Sequence, residues 1–115
     1  MLDVIIFDSS DFESRLARNE ELMTLVAAEF LKEATSLLAL LETYAMARDW
    51  PNLGLVTNRL RGAGLEVSGY QFCEKLTDLQ RIIDNESASQ LSMVLLALNT
   101  EFDRLSLALK HEILK

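Results

Sequence analysis

Apolar residues recur at threes and fours along almost the whole 115-residue chain, the spacing that gathers side chains on one face of a helix. From Glu20 to about Arg48 the stripe Leu22, Val26, Phe30, Leu37, Leu41 and Tyr44 predicts one long helix, about 40 Å at 1.5 Å per residue. Ser10 and Glu13 have the spacing of a capping box, which predicts a short helix before it over Phe12 to about Ala17, and Asn19 suits the N-cap of the long one. Asp49, Trp50 and Pro51 predict a break, because proline disfavours a helical residue before it yet fits the first turn of a new helix. Leu53, Val56, Leu60, Ala63 and Val67 then mark a third helix ending near Gly69. Phe72, Leu76, Leu79 and Ile83 mark a fourth, and Asp84 to Ser87 a polar turn. The last stripe, Leu91, Leu95, Leu98, Phe102, Leu105 and Leu109, is a 3-4 seam suited to near-antiparallel packing. Four substantial helices with short connections predict an all-α fold, an antiparallel four-helix bundle with a short extra N-terminal helix, as one domain over residues 1–115. Burial of the seams carries its stability, so truncating Phe30 or Phe102 to alanine is expected to cost several kcal/mol, about 3–5.

The third helix departs from the pattern on its outer side. At about 100° per residue, Asn58 points nearly opposite the core stripe, and Gly54, Leu55, Arg61, Gly62 and Leu65 fall beside it. A solvated stripe is normally Glu and Lys; this one carries two glycines, two leucines, one cation and one amide. Each interior glycine costs roughly 1 kcal/mol against alanine, so Gly54, Gly62 and Gly64 call for an offsetting gain. Gly64 points to the core side, where it admits a close helix neighbour. Gly62 lies one turn after Asn58, where a missing side chain lets another molecule come near.

Charge and composition narrow the function. A formal net charge of −7 and the lack of a basic stripe argue against nucleic-acid binding. One cysteine, Cys73, makes no internal disulfide, and it and the lone His111 are too few for a structural zinc site, so a reducing cytoplasm is the expected setting. The apolar run Val4 to Phe7 is too short for a signal peptide and no stretch of about 20 apolar residues predicts membrane insertion. Cys73, beside Phe72, reads as a small core residue, and His111 as a cation-capable residue suited to the end of the last helix. Glu20, Glu21, Glu29 and Glu33 form no acid/base pair and read as a solvated face. An independent enzyme is therefore not expected. A monomer is the default, with the apolar outer face leaving a dimer open.

The stretch "NRLRGAGLEVSG" resembles the signature of histidine-containing phosphotransfer (HPt) domains, in which a His is followed by x-Leu-Lys-Gly, small residues and a further glycine. The likeness extends to "IFDSSDFESRL", to "NEELMTLVAAEFLKEATSLLALLETYAMARDWPNL" with its Asp-Trp turn, and to "FCEKLTDLQ", which together cover most of the chain. Such domains shuttle phosphoryl groups between aspartates of response-regulator receiver domains in two-component phosphorelays. The resemblance implies a receiver domain as partner, free-standing or within a hybrid sensor kinase. The partner carries the Mg²⁺, and no cofactor is expected on this chain. It also implies that Arg61 offsets phosphate charge, Gly62 clears the approach, and Gly54, Leu55 and Leu65 complete the contact.

Two positions depart from the family's pattern. Asn58 stands where the phospho-accepting histidine would be, and Ser68 precedes Gly69 where glycine is more usual. An imidazole nitrogen has a lone pair that attacks phosphorus, whereas the amide nitrogen of Asn58 has its pair delocalised into the carbonyl. No phosphotransfer at position 58 is expected. Three readings stay open: a natural phosphotransfer-deficient binder of receivers, an engineered His-to-Asn form of an active protein, or a helical interaction or homodimerisation module outside phosphorelays.

Overall fold

Helix caps and three-residue turns set the architecture of the computed structural model, which describes residues 5–115; Val4, the first residue of the early apolar run, lies outside them. The described residues form five helices and no strand: α1 (Ser9–Arg15), α2 (Glu20–Met46), α3 (Trp50–Glu66), α4 (Tyr70–Asp84) and α5 (Ala88–Glu112). The first helix begins earlier than the Ser10–Glu13 spacing predicts, because Asp8 is its cap, accepting a hydrogen bond from the Asp11 N–H at 3.0 Å. With the cap two positions upstream, Ser10 lies inside the first turn of the helix. The Asn19 side chain caps α2 as expected, accepting from the Leu22 N–H at 3.0 Å. At the Asp49-Trp50-Pro51 break, Asp49 caps α3 and Pro51 sits in its first turn.

Three consecutive connections, residues 47–49, 67–69 and 85–87, are each three residues long and share one design. Their central residues Arg48, Ser68 and Glu86 have φ of 53°, 56° and 48°. Two backbone bonds close each helix end. At the end of α3 the Ser68 N–H donates to the Leu65 carbonyl at 3.1 Å and the Gly69 N–H to the Gly64 carbonyl at 2.9 Å. Arg48 with Asp49, and Glu86 with Ser87, repeat the pair at the ends of α2 and α4. This is the Schellman termination, with non-glycine residues in the left-handed position that glycine usually takes. No glycine of the chain has positive φ.

The turns bring α3 against α2 and α4, and α4 against α5, while α2 meets α5 along a thinner seam. At the centre, Phe30 of α2, Phe72 of α4 and Phe102 of α5 form a triangle of rings with centroids 5.9 to 6.2 Å apart. The inner faces of α3 and α4 follow the predicted stripes, with Leu53, Val56, Leu60, Ala63 and Val67 buried on one side and Phe72, Leu76, Leu79 and Ile83 on the other. The α2 stripe needs correction at its start. Leu22 is 39% exposed, and the buried residues there are Met23, Ala27, Phe30 and Ala34. The alanines let neighbouring backbones approach, so the core line runs one position beside the larger side chains. On α5, Leu95 and Phe102 are only partly buried, whereas Leu91, Leu98, Leu105 and Leu109 are sealed. Phe102 truncation is accordingly the milder of the two phenylalanine lesions expected above.

Candidate functional site

Asn58 lies near the middle of α3, exposed, with the buried Val56, Thr57 and Leu60 on the inward side of the same turns. The 3.6-residue repeat places side chains at 55, 58, 62 and 65 in one row, and the row is open: Leu55 is 69% exposed, Leu65 is 45% exposed, and Asn58 and Gly62 are exposed between them. A methyl group added at Gly62 would meet nothing within 4 Å. Gly54 sits on the flank of this row and is half-buried, with Ile83 of α4 at 3.9 Å from the position its Cβ would take. The six residues singled out in the sequence thus occupy one continuous strip of α3, with Gly54 at its inner edge.

Two cations border Asn58 and differ in their engagement. Arg59 donates through Nε to Glu33 of α2 at 3.2 Å. Both groups are exposed, so the pair contributes little to stability, on the order of 0–1 kcal/mol. Its effect is to draw the Arg59 charge toward α2. Arg61, half-buried, takes part in none of the ion pairs among the described residues, so its guanidinium is free to meet an anion arriving beside Asn58. Backbone behind Arg61 is held from the inside: its carbonyl accepts from the Cys73 thiol at 3.5 Å. Burial pushes that thiol up to about 11, which keeps it a neutral donor at physiological pH and removes it from nucleophilic chemistry. Cys73 is therefore the core residue expected from its place beside Phe72.

Gly64 has the opposite surroundings from Gly62. An added Cβ there would lie 2.8 Å from the Cys73 sulfur and 3.0 Å from the Phe72 ring. The missing side chain admits Cys73 and Phe72 of α4, the core-side role its place on the wheel predicts.

The end of the strip is clamped by a polar cluster that hydrophobic periodicity does not reveal. Arg15 of α1 donates to the carbonyls of Leu65 and Glu66 at 2.7 and 2.8 Å and to the Ser68 hydroxyl at 2.8 Å. α3 has no basic residue in its own last turn, so Arg15 supplies from another helix the positive charge that a helix C-terminus favours. The Ser68 and Tyr70 hydroxyls both donate to Asp11 Oδ2 at 2.6 Å, and the Asp8 N–H donates to the Ser68 carbonyl at 3.1 Å. Hydrogen bonds from Ser68 and Tyr70, with the nearby Arg15, hold the Asp11 carboxyl below its ordinary range. Ser68, the second departure from the HPt-like pattern, is thus one of the residues whose side chains join α1 to the α3–α4 corner. The spacing of Asp11 and Arg15, i to i+4, is a local signal of an ion pair; nothing local signals their reach to residues more than fifty positions away.

Among the described residues no group of His, Cys, Asp and Glu could hold a metal ion, and no helix is long and apolar enough to cross a membrane. His111 is exposed in the last turn of α5. Comparison with known families, curated proteins and solved structures found no match.

Proposed function

We propose that the chain is an HPt-like module of a two-component phosphorelay, an antiparallel four-helix bundle preceded by a short helix, which docks receiver domains through the outer strip of α3. The observation that carries this reading is the open row of Leu55, Asn58, Gly62 and Leu65 with an unpaired Arg61 at its side. It offers apolar contact at both ends, clearance at Gly62 and one uncommitted cation at the centre. That is the set of features needed to seat a partner that presents a phosphorylated aspartate. The receiver contributes Mg²⁺ and the acyl phosphate; this chain contributes shape and Arg61.

As it stands the module binds without accepting phosphate, because Asn58 has no nucleophilic nitrogen. In an Asn58→His variant, an imidazole nitrogen would attack phosphorus. An N–P bond would form as the acyl-phosphate O–P bond breaks, and the aspartate would leave as carboxylate. The phosphorylated ring would then stand beside Arg61 in an otherwise uncrowded strip.

Phosphotransfer from a panel of phosphorylated receiver domains to the chain and to Asn58→His, side by side, tests the proposal. Expected is label on the variant alone, together with receiver binding by both. If neither takes label and neither binds a receiver, the likeness is one of sequence pattern only and the reading fails. Label on the unaltered chain would assign phosphate to His111 and would overturn the role given to position 58.

A further inference from the structure

Arg59 is held to α2 by one hydrogen bond and keeps most of its donors free. Only Nε meets Glu33 Oε1, at 3.2 Å, and the two side chains are 69% and 44% exposed. The N–H groups on its two terminal nitrogens have no acceptor among the described residues. Arg15 shows the contrast, with one terminal nitrogen engaged by three acceptors at the end of α3. A solvent-exposed pair made through a single N–H exchanges partners at little cost, and the unused fork is the part of a guanidinium that grips a phosphate.

The two cations of this stretch flank Asn58. The helical repeat turns Arg59 about 100° to one side of Asn58 and Arg61 about 60° to the other. Leu55 and Gly62 fall between the Arg59 and Asn58 directions, and Gly62 puts no side chain in the way: a methyl added there would meet nothing within 4 Å. The Arg59 arm therefore has a clear path from Glu33 to the row. An anion seated on Asn58 lies between Arg61, which has no ion pair among the described residues, and Arg59, which has one weak one. Phosphorylation of an aspartate adds about one negative charge to it near neutral pH, and a second cation answers that added charge.

We propose that Arg59 is the second phosphate-binding cation of the α3 strip, held aside by Glu33 until a phosphorylated receiver docks. On docking, the guanidinium leaves Glu33 for the phosphoryl oxygens, so the strip prefers the phosphorylated receiver to the unphosphorylated one. Arg59 binds the ligand; Glu33 acts through Arg59 and is a positioning residue. The inference rests on the phosphorelay reading above, because the receiver is what brings the anion to the row.

Titration of the chain and its variants against the receiver panel, each receiver with and without beryllofluoride as a mimic of the acyl phosphate, tests the exchange. Glu33→Gln frees Arg59 and should raise affinity for the loaded receiver by about two- to fivefold, the range an exposed ion pair spans, without changing affinity for the unloaded one. Arg59→Gln should lower affinity for the loaded receiver by about the same factor, and in that background Glu33→Gln should have no further effect. Glu29→Gln removes an equal charge one turn away, at an exposed carboxylate in no ion pair among the described residues, and should leave the preference unchanged. Circular dichroism melts confirm that the variants are folded. A gain from Glu33→Gln that is equal with and without Arg59, or that Glu29→Gln matches, is a general charge effect and overturns the exchange. An unchanged preference in Arg59→Gln overturns it while leaving receiver docking in place. Absence of binding to every receiver in both states overturns the docking reading and this inference with it.

Discussion

Gly62 and Gly64 are two residues apart on one helix and have opposite uses. An added methyl at Gly62 finds open space, whereas at Gly64 it finds the Cys73 sulfur at 2.8 Å and the Phe72 ring at 3.0 Å. Both glycines carry the same intrinsic cost in a helix interior, roughly 1 kcal/mol relative to alanine. At Gly64 the cost is offset by packing that can be seen, since the missing side chain is the space into which α4 fits. At Gly62 no contact among the described residues offsets it. Because Gly62 weakens its own helix and gains no internal contact, the functional proposal is placed on the outer strip of α3.

Gly64→Ala is the strongest way to break the comparison. Overpacking against Cys73 and Phe72 should destabilise the fold by about 1–3 kcal/mol, measured by denaturant unfolding. An unchanged midpoint would mean that α3 and α4 are farther apart than described. Thr57→Val sharpens the inner side of the same helix. The Thr57 hydroxyl is buried and has no hydrogen-bond partner among the described residues, so a near-isosteric apolar side chain should stabilise by about 1 kcal/mol. A loss of stability there would reveal a partner for the hydroxyl. Gly62→Ala tests the outer side: with open space around it, alanine should stabilise by about 0.5–1 kcal/mol while weakening capture of a receiver domain. Stabilisation with undiminished receiver binding would remove the clearance argument.

Periodicity is enough to locate four long helices and the inner face of α3, because a 3.6-residue repeat of large apolar residues follows directly from burial on one side. It fails where small residues line the core. Ala27 and Ala34 share the inner face of α2 with Met23, Phe30, Leu37 and Leu41, and large exposed leucines such as Leu22 and Leu25 mislead a count of hydrophobic side chains. Turn chemistry misleads in another way. Among the described residues the left-handed positions fall on Ala17, Arg18, Arg48, Ser68 and Glu86, while the glycines serve clearance and close packing, so glycine does not mark the turns. The strip around Asn58 is legible because it breaks the polar rule for an outer face. The Asp11–Arg15–Ser68–Tyr70 cluster joins elements distant in sequence, which only the fold brings together.

That cluster provides the smallest expected effect and the finest test of the comparison, since it fixes the corner from which α4 leaves α3 toward the Gly64 contact. Asp11 titrates below its ordinary value because the Ser68 and Tyr70 hydroxyls and the Arg15 charge favour the carboxylate. A depressed pKa means the folded state prefers the ionised form. The added stability is complete above the unfolded carboxyl value near 3.8 and is lost as pH falls through the lower folded value. Tyr70 is shifted upward, chiefly by its hydrogen bond to Asp11, so its contribution is complete below the unfolded phenol value of 10.0 and is lost as pH rises through the higher folded one. Asp11→Ala should therefore lower the melting temperature at pH 7. The gap between wild type and variant should narrow both at acid pH below about 4 and at alkaline pH above about 10. Combined with Gly64→Ala, the same lesion should cost less than the two separately, because a loosened corner lets α4 move away from the added methyl. Additive losses, or a gap that is flat across pH, would mean that the corner and the glycine contact are held independently, and that Gly64 alone sets the distance between α3 and α4.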